Sequence, residues 1–463
     1  MAGLTSQGLG SGLDIASLVA KLVAAEKAPR QTQITRAQTS TVTTISALAS
    51  LKGSMSSFND SLASIKTVDV FAARAASSSA PGNFSVSAGT TAVSGSYDVQ
   101  IERLASAHQI SSGAHAGGAG QVVGTGTLTI AVGTESFSVG VDSSHNTLAQ
   151  IRDAINQSAD NGGKVSATIV NANDGAHLVL SAQATGEANA ITVSQEGGDG
   201  GLAGLEYNSL LTTNYTQLRP AQDAQVFIAG YEHLSNTNTF IDAIDGVTIT
   251  ALDADPGETH SLTISDDTAG TTARIRKFVD EYNALEKQIA SLRSYEPSTR
   301  RAGPLLGDAM LRGIETDLRA RLGNVVEGLE GNYQTLASVG ITTQRDGTLT
   351  LDTTKLQAAL TADFDGVAQL FGSENGVAAR LSASVTPQLD NDAQIATRTE
   401  ALNKRSVALQ KQQADLEVRM AAVERRYNAQ FNALDSLLSN LQSQSTFLAQ
   451  QLTSIANIGS SSK

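Results

Sequence analysis

The sequence predicts an α+β multidomain chain: a terminal coiled-coil or helical-bundle stalk carrying two inserted β-rich domains. Three observations predict it. Apolar residues recur every seventh position near the C-terminal end, a second apolar stripe lies near the start, and the middle turns to Ser, Thr, Gly and Val with period-two alternation. At roughly 100–200 residues per domain, 463 residues make about three domains.

The first segment, residues 1–45, opens with Gly8-Leu-Gly-Ser-Gly12 and then Leu13, Asp14, Ile15, Leu18, Val19, Leu22 and Val23. Asp14 is placed to cap a helix starting at Ile15. Pro29 marks a break before the next helix. The alternating glycines do not make a phosphate loop, because no Lys-Ser/Thr follows and no strand precedes them. They read as a flexible tip leading into a short apolar helix.

Leu48, Leu51, Met55, Phe58, Leu62 and Ile65 alternate spacings of three and four and predict an amphipathic helix. Helical periodicity returns at Ile275, Phe278, Val279, Tyr282, Leu285, Ile289 and Leu292. Residues 46–80 and 269–400 are thus read as one helical domain built from two pieces. No glycine falls between Val377 and Ile458 and the last proline is Pro387, so a long helix is permitted beyond it. Within 401–463, Met420, Tyr427, Leu434, Leu441, Leu448 and Ile455 recur by sevens, and Leu402, Leu409, Leu416, Val423 and Leu437 fill the complementary seam. Gln413, Gln430 and Gln444 interrupt it with polar seam residues. Each covered seam residue contributes roughly 1.5–3 kcal/mol, whereas a short isolated helix in water is marginal. Each stripe therefore requires a partner, either the other terminus, which makes the stalk, or the body of the chain.

In the middle, Phe84–Ser87, Tyr97–Ile101, Thr127–Val132 and Ser136–Val141 alternate as half-buried strands. Asn173-Asp-Gly175 predicts a hairpin turn between Ser166–Val170 and His177–Leu180. Between these pairs, Leu148, Ile151 and Ile155 mark a short amphipathic helix. The result is a ββαββ module over 111–220, with glycine-rich stretches 113–126 and 197–204 read as hinges. Strands resume at Ala224–Ala229, Gly246–Leu252 and Leu262–Ile264, so the first β-rich domain is split into 81–110 and 221–268.

Composition excludes several function classes. Lys plus Arg is 32 against 45 Asp plus Glu, a net charge of −13, which opposes nucleic-acid binding. Cysteine and tryptophan are absent, removing disulfides, thiolate metal sites and cysteine nucleophiles. The start lacks the basic and apolar regions of a cleaved signal, and no apolar run reaches the ~18 residues that span a bilayer. The six histidines are scattered without a helical metal pair. Asp253-Ala-Asp-Pro-Gly-Glu258 fails as a calcium loop because position twelve is Ile264. No Gly-x-Ser-x-Gly elbow has acid and histidine partners. The acidic pair Asp266-Asp267 and the basic pairs Arg300-Arg301 and Arg425-Arg426 read as solvated ends or faces. No catalytic constellation emerges and no cofactor is implied, so the weight moves to a structural role.

At this level of detail the chain resembles a known family, the flagellar filament cap proteins, also called flagellar hook-associated protein 2 or FliD. Gly8-Leu-Gly-Ser-Gly-Leu-Asp-Ile-Ala-Ser-Leu-Val19 resembles its N-terminal signature, and Gly126 to Val193 is similar to the flagellin-hook IN motif. Ala221-Gln-Asp-Ala224, Gly230, Ser235-Asn-Thr237, Ile244–Thr248, Phe278-Val-Asp-Glu-Tyr-Asn283, Gly303–Arg312, Leu336–Ile341 and Asp346–Asp352 through Leu370-Phe371 resemble its C-terminal region. The resemblance implies export through the flagellar type III channel, with the export machinery or a chaperone as partner. It also implies a homo-oligomeric ring at the filament tip that retains flagellin and helps it fold into the lattice. No nucleic acid and no membrane insertion are implied. Residues 1–45 become an export and docking segment, the helical domain a leg, and 401–463 a docking coiled coil. The expected docking or oligomerisation residues are Leu13, Ile15, Leu18, Val19, Leu22, Met420, Val423, Tyr427, Leu434, Leu437, Leu441, Leu448 and Ile455. The rival readings are another axial subunit (a flagellin or hook–filament junction protein), a cap whose outer β module is also an adhesin, and a hydrolase concealed in the β region.

Overall fold

The computed structural model describes residues 14–460, leaving aside the side chains of residues 212, 213 and 455–460. The chain opens with helix α1 (Ile15–Ala63) and continues through strands β1 (Arg74–Ser78), β2 (Phe84–Ala88), β3 (Gly95–Arg103), β4 (Ala107–Ser112), β5 (Gly126–Val132) and β6 (Glu135–Val141). Helix α2 (Leu148–Gln157) precedes β7 (Val165–Ala172), β8 (Gly175–Thr185), β9 (Ile191–Glu196), β10 (Tyr207–Asn208), β11 (Thr212–Thr213) and β12 (Tyr215–Arg219). Then come β13 (Ala224–Ile228), β14 (Tyr231–Ser235), β15 (Thr239–Ile244), β16 (Val247–Ala251) and β17 (His260–Asp266). Helix α3 (Thr268–Arg293), a small hairpin (Tyr295–Glu296 with Arg301–Ala302), α4 (Ala309–Gly323), a second hairpin (Ile341–Thr343 with Leu349–Leu351), α5 (Thr353–Ala362), α6 (Phe364–Gly372), α7 (Val377–Leu389) and α8 (Gln394–Ser460) complete it. This is an α+β multidomain architecture with a long C-terminal helix and several separate sheets. It divides into two compact units, residues 69–271 and the two flanking pieces together.

The β-rich unit holds two apolar cores. In one, the sheet ordered β1-β17-β3-β13-β14 and the sheet β15-β16-β2 enclose Phe84, Val99, Ile101, Val226, Phe240, Ile249 and Leu262. All pairings are antiparallel, and alternate residues point inward as period-two patterning demands. In the other, the sheets β11-β10-β9-β5-β6 and β12-β4-β8-β7 enclose Leu128, Ile130, Phe137, Leu178, Leu180 and Ile191 together with Leu148, Ile151 and Ile155 of α2. Thr147 caps α2 in a capping box with Gln150. The two hairpins expected around α2 form, but in different sheets, each contributing one wall of the core.

The glycine-rich stretches read as hinges are instead a packing contact. A Cβ on Gly198, whose φ is +77°, would stand 1.8 Å from the Thr125 carbonyl oxygen, and one on Gly201 would stand 2.3 Å from that of Val123. Asp199 Oδ1 accepts hydrogen bonds from the amides of Thr125 and Gly201, both at 2.9 Å. The glycines are there so that two backbones can touch, which fixes the segments rather than freeing them. Gly198→Ala is expected to destabilise this body by about 3 kcal/mol, from the positive φ and the clash together. Amide exchange in β5 and β9 would accelerate on the order of 100-fold, while Gly204→Ala, which meets nothing within 4 Å, would leave it unchanged.

The helical unit is held by aromatic and aliphatic packing. Phe58 of α1 stacks near Phe278 (6.0 Å) and Tyr282 (5.7 Å) of α3, and Phe278 in turn meets Phe371 of α6 (6.2 Å). Leu48, Leu51, Met55, Leu62 and Ile65 are fully buried, so the three-four stripe near the start is a core face.

The break expected at Pro29 does not occur, because α1 runs unbroken for 49 residues with Pro29 inside it. An interior proline costs ~3 kcal/mol through a lost hydrogen bond and a ring clash. Here both Pro29 and Ala25, the residue whose carbonyl loses its donor, are exposed, so the orphan oxygen is not sealed in the interior, where an unpaired carbonyl is costly. Packed residues on both sides, Val23 and Ile34, hold the helix together across it.

Candidate docking surface on the terminal helix pair

α8 is 67 residues long, about 100 Å at 1.5 Å per residue. Its proximal half packs along α1. Ile34 joins Leu416, Met420 and Val423 in one buried cluster, with Val23 and Tyr427 against it. Lys27 Nζ donates to both carboxylate oxygens of Glu417 at 2.5 and 2.7 Å. That ammonium holds the Glu417 carboxyl below its ordinary range. Gln31 and Gln413 exchange side-chain amide bonds at 2.9 and 2.7 Å, so this polar seam position is satisfied by an identical group rather than left as a weakness. The Tyr427 hydroxyl donates to Glu26 at 3.2 Å.

These pairs rise along α1 as they fall along α8, so the helices are antiparallel. Carried on, that register sets Ile15 opposite about residue 429 of α8. Beyond it α8 has no helical neighbour among the described residues. The expected docking residues divide there. Ile15, Val19, Met420 and Val423 are buried and Tyr427 half-buried, all sealed within the chain itself. Leu18 and Leu22 are 38% and 39% exposed, on the outer side of α1. Leu434, Leu437, Leu441 and Leu448 are 48–60% exposed, a stripe left open among the described residues. Leu13 and the Ile455 side chain lie outside the described residues.

Leu438 and Leu452 belong to the same stripe, exposed at 38% and 67%, and were not singled out by the heptad count. Each lies four residues after a counted leucine, a spacing that shares a helix face and could have identified both. The Lys27–Glu417 pair had no sequence signal, being 390 residues apart. Among the described residues no group of His, Asp and Glu is arranged to hold a metal ion, and no helix is long and apolar enough to cross a membrane.

Comparison with known proteins agrees with a structural reading. Residues 11–108 match the family model described as flagellar hook-associated protein 2 N-terminus, and residues 221–443 match that for its C-terminus. The chain is 34% identical to the B-type flagellar hook-associated protein 2 of Pseudomonas aeruginosa, covering 98% of both. It is 32% identical to the flagellar hook-associated protein 2 of Escherichia coli K12, covering 99% of this chain and 100% of that one. Among solved structures, the D1-D2-D3 domains of the flagellar cap protein FliD from Escherichia coli align with a TM-score of 0.62 at 30% identity, over 77% of this chain and 99% of that one. None of these names describes a catalysed reaction. With near-complete coverage at this identity, two family models in order and a shared fold, the chain belongs to the flagellar hook-associated protein 2 family, the flagellar filament cap proteins.

Proposed function

We propose that this protein caps the growing flagellar filament: copies of it assemble as a ring at the extracellular tip, retain exported flagellin and promote its folding and insertion. Family membership supports the cap role, and one observation supports the mode of attachment. Among the described residues, the apolar stripe of α8 from Leu434 to Leu452 is open, on a helix whose proximal seam packs against α1. Six leucines exposed along one face of a helix mark an interaction surface. The filament end supplies the cover, with Leu18 and Leu22 offering a smaller second contact. The sealed residues Ile15, Val19, Met420 and Val423 serve to stiffen the stalk, so the docking role narrows to the distal half of α8 with Leu18 and Leu22 of α1. Delivery by the flagellar export machinery, with or without a chaperone, belongs to the same reading.

The test is microscopy of filament tips in a strain lacking the gene, with and without complementation by this chain. Complementation is expected to restore full-length filaments and to place the protein at the tip. Short or absent filaments with the chain expressed and exported would refute the reading.

A further inference from the structure

Strand β4 leaves register with its neighbour at a single residue. Ala107 pairs with Thr185 of β8 and Gln109 with Ser181, which places His108 in a bulge between them. Bulges re-aim side chains, and the His108 imidazole is buried, 3% exposed. There its Nδ1 accepts a hydrogen bond of 2.8 Å from the amide of Ile191, the first residue of β9. β4 and β9 belong to different sheets, so this bond ties the two walls of the body around α2 to each other.

A backbone amide only donates, so Nδ1 must be without a proton. Protonation would set two donors face to face and leave a cation inside the core. Nothing on the surrounding elements offsets that charge. The ring lies against Tyr207 of β10 at 5.8 Å, and Tyr207 meets Tyr215 of β12 at 5.8 Å. Burial pushes both phenols above their usual range, so neither becomes a counter-anion. Arg219 of β12, Glu196 of β9 and Glu187 in the turn before it are exposed, and the half-buried Glu206 accepts from the Gln195 amide instead. β8 brings only His177, whose ring bonds the Ser112 carbonyl and Asp174, four residues along β4 from His108.

We propose that His108 is an acid-operated catch between the two sheets: neutral, it holds the start of β9 against β4, and protonated, it releases that sheet and opens the body. Asparagine, whose Oδ1 stands where Nδ1 does, would make the same bond at every pH; histidine makes it only while neutral. At an extracellular filament tip the medium sets that pH. The catch does not depend on how the chain attaches there. Burial holds the folded His108 below its ordinary value of 6.5. Its contribution to stability is therefore complete above pH 6.5 and is lost as pH falls below it, by up to a factor of about ten in the opening equilibrium for each pH unit.

The experiment is amide exchange on the full-length protein from about pH 7.5 to about pH 5, corrected for intrinsic rates. All six histidines lie between residues 108 and 260, so the helical unit has none and α3 is the internal reference. Amides of β9 are expected to open up to ~10-fold more for each unit below 6.5, while α3 holds steady. His108→Asn is expected to keep the bond and abolish the slope. A flat profile in wild-type β9, or equal acceleration in α3, would overturn the catch. So would an undiminished slope in His108→Asn, which would assign it to His115, a ring that burial and His177 also hold low. His177 cannot produce that slope, because the Ser112 carbonyl and Asp174 raise its pKa and so strengthen the fold as pH falls. Should His108→Asn not fold, the His108 ring resonance of the wild type decides: neutral in the folded protein at about pH 6 supports the catch, and charged there overturns it.

Discussion

A strain carrying Leu434→Asp together with Leu441→Asp is expected to export the protein normally but fail to cap, so that flagellin accumulates in the medium. Both leucines are about half exposed in the isolated chain, so their replacement removes little internal packing. Stability and circular dichroism of the purified variant should match the wild type within ~0.5 kcal/mol, the usual range for surface substitutions. Docking is another matter. Each leucine covered by a partner is worth roughly 1.5–3 kcal/mol, and an aspartate in its place adds the cost of burying an unpaired charge. Two such changes weaken attachment by at least ~4 kcal/mol, about a thousandfold, enough to empty the tip. The control is Val407→Asp with Val418→Asp: these two are 65% and 72% exposed on the covered half of the same helix, off its seam, and should cap normally. Filaments of normal length from the Leu434/Leu441 variant would remove the docking role.

What the sequence made legible follows the strength of each local signal. The 67-residue helix was readable because nothing in Gln394–Ser460 forbids it except at the last turn, and because seven-residue spacing repeats often enough to average out exceptions. α2 and the hairpin at Asn173–Gly175 were readable because a capping residue and a turn residue sit next to clean periodicity. Strands β1, β4, β9, β14 and β15 were not read from the sequence, β1 (Arg-Ala-Ala-Ser-Ser) because it holds no large apolar residue to alternate. Pro29 misled because the rule for interior proline is a cost, not a prohibition, and tertiary packing outweighs it here. The glycine stretches misled because flexibility and close approach demand the same residue. For the candidate docking surface, the heptads named an apolar stripe but not which half α1 would cover. That depends on where α1 begins relative to α8, a register set by contacts nearly 400 residues apart, such as Lys27 with Glu417.

The second large effect is invisible to periodicity altogether: Arg319→Ala should loosen the helical unit by about 3 kcal/mol. Two carboxylates, Glu286 of α3 and Glu315 of α4, are 2% and 7% exposed, which is costly unless cations face them. Arg319 faces both, with Nε 3.0 Å from Glu286 Oε1 and Nη2 2.7 Å from Glu315 Oε1, while Arg293 adds a second contact to Glu315 at 2.8 Å. The hydrogen bonds to Glu286 hold the guanidinium above its usual pKa. The Tyr282 hydroxyl donates to the same carboxylate at 2.9 Å. Next to it, Asn283 clamps the backbone of Leu349 in both directions, at 2.8 and 2.7 Å, so the Phe278–Asn283 motif fastens a hairpin to α3 rather than serving a surface. Removing Arg319 leaves Glu286 buried with one neutral donor, whereas Glu315 keeps Arg293. The penalty therefore falls on Glu286, and adding Glu286→Gln in the Arg319→Ala background should recover most of it, since an uncharged amide needs no cation. Amide exchange in α3 reads the cycle directly: on the order of 100-fold faster in Arg319→Ala and close to wild type in the double variant. Equal acceleration in both would show that Arg319 acts by packing its stem, not by neutralising Glu286.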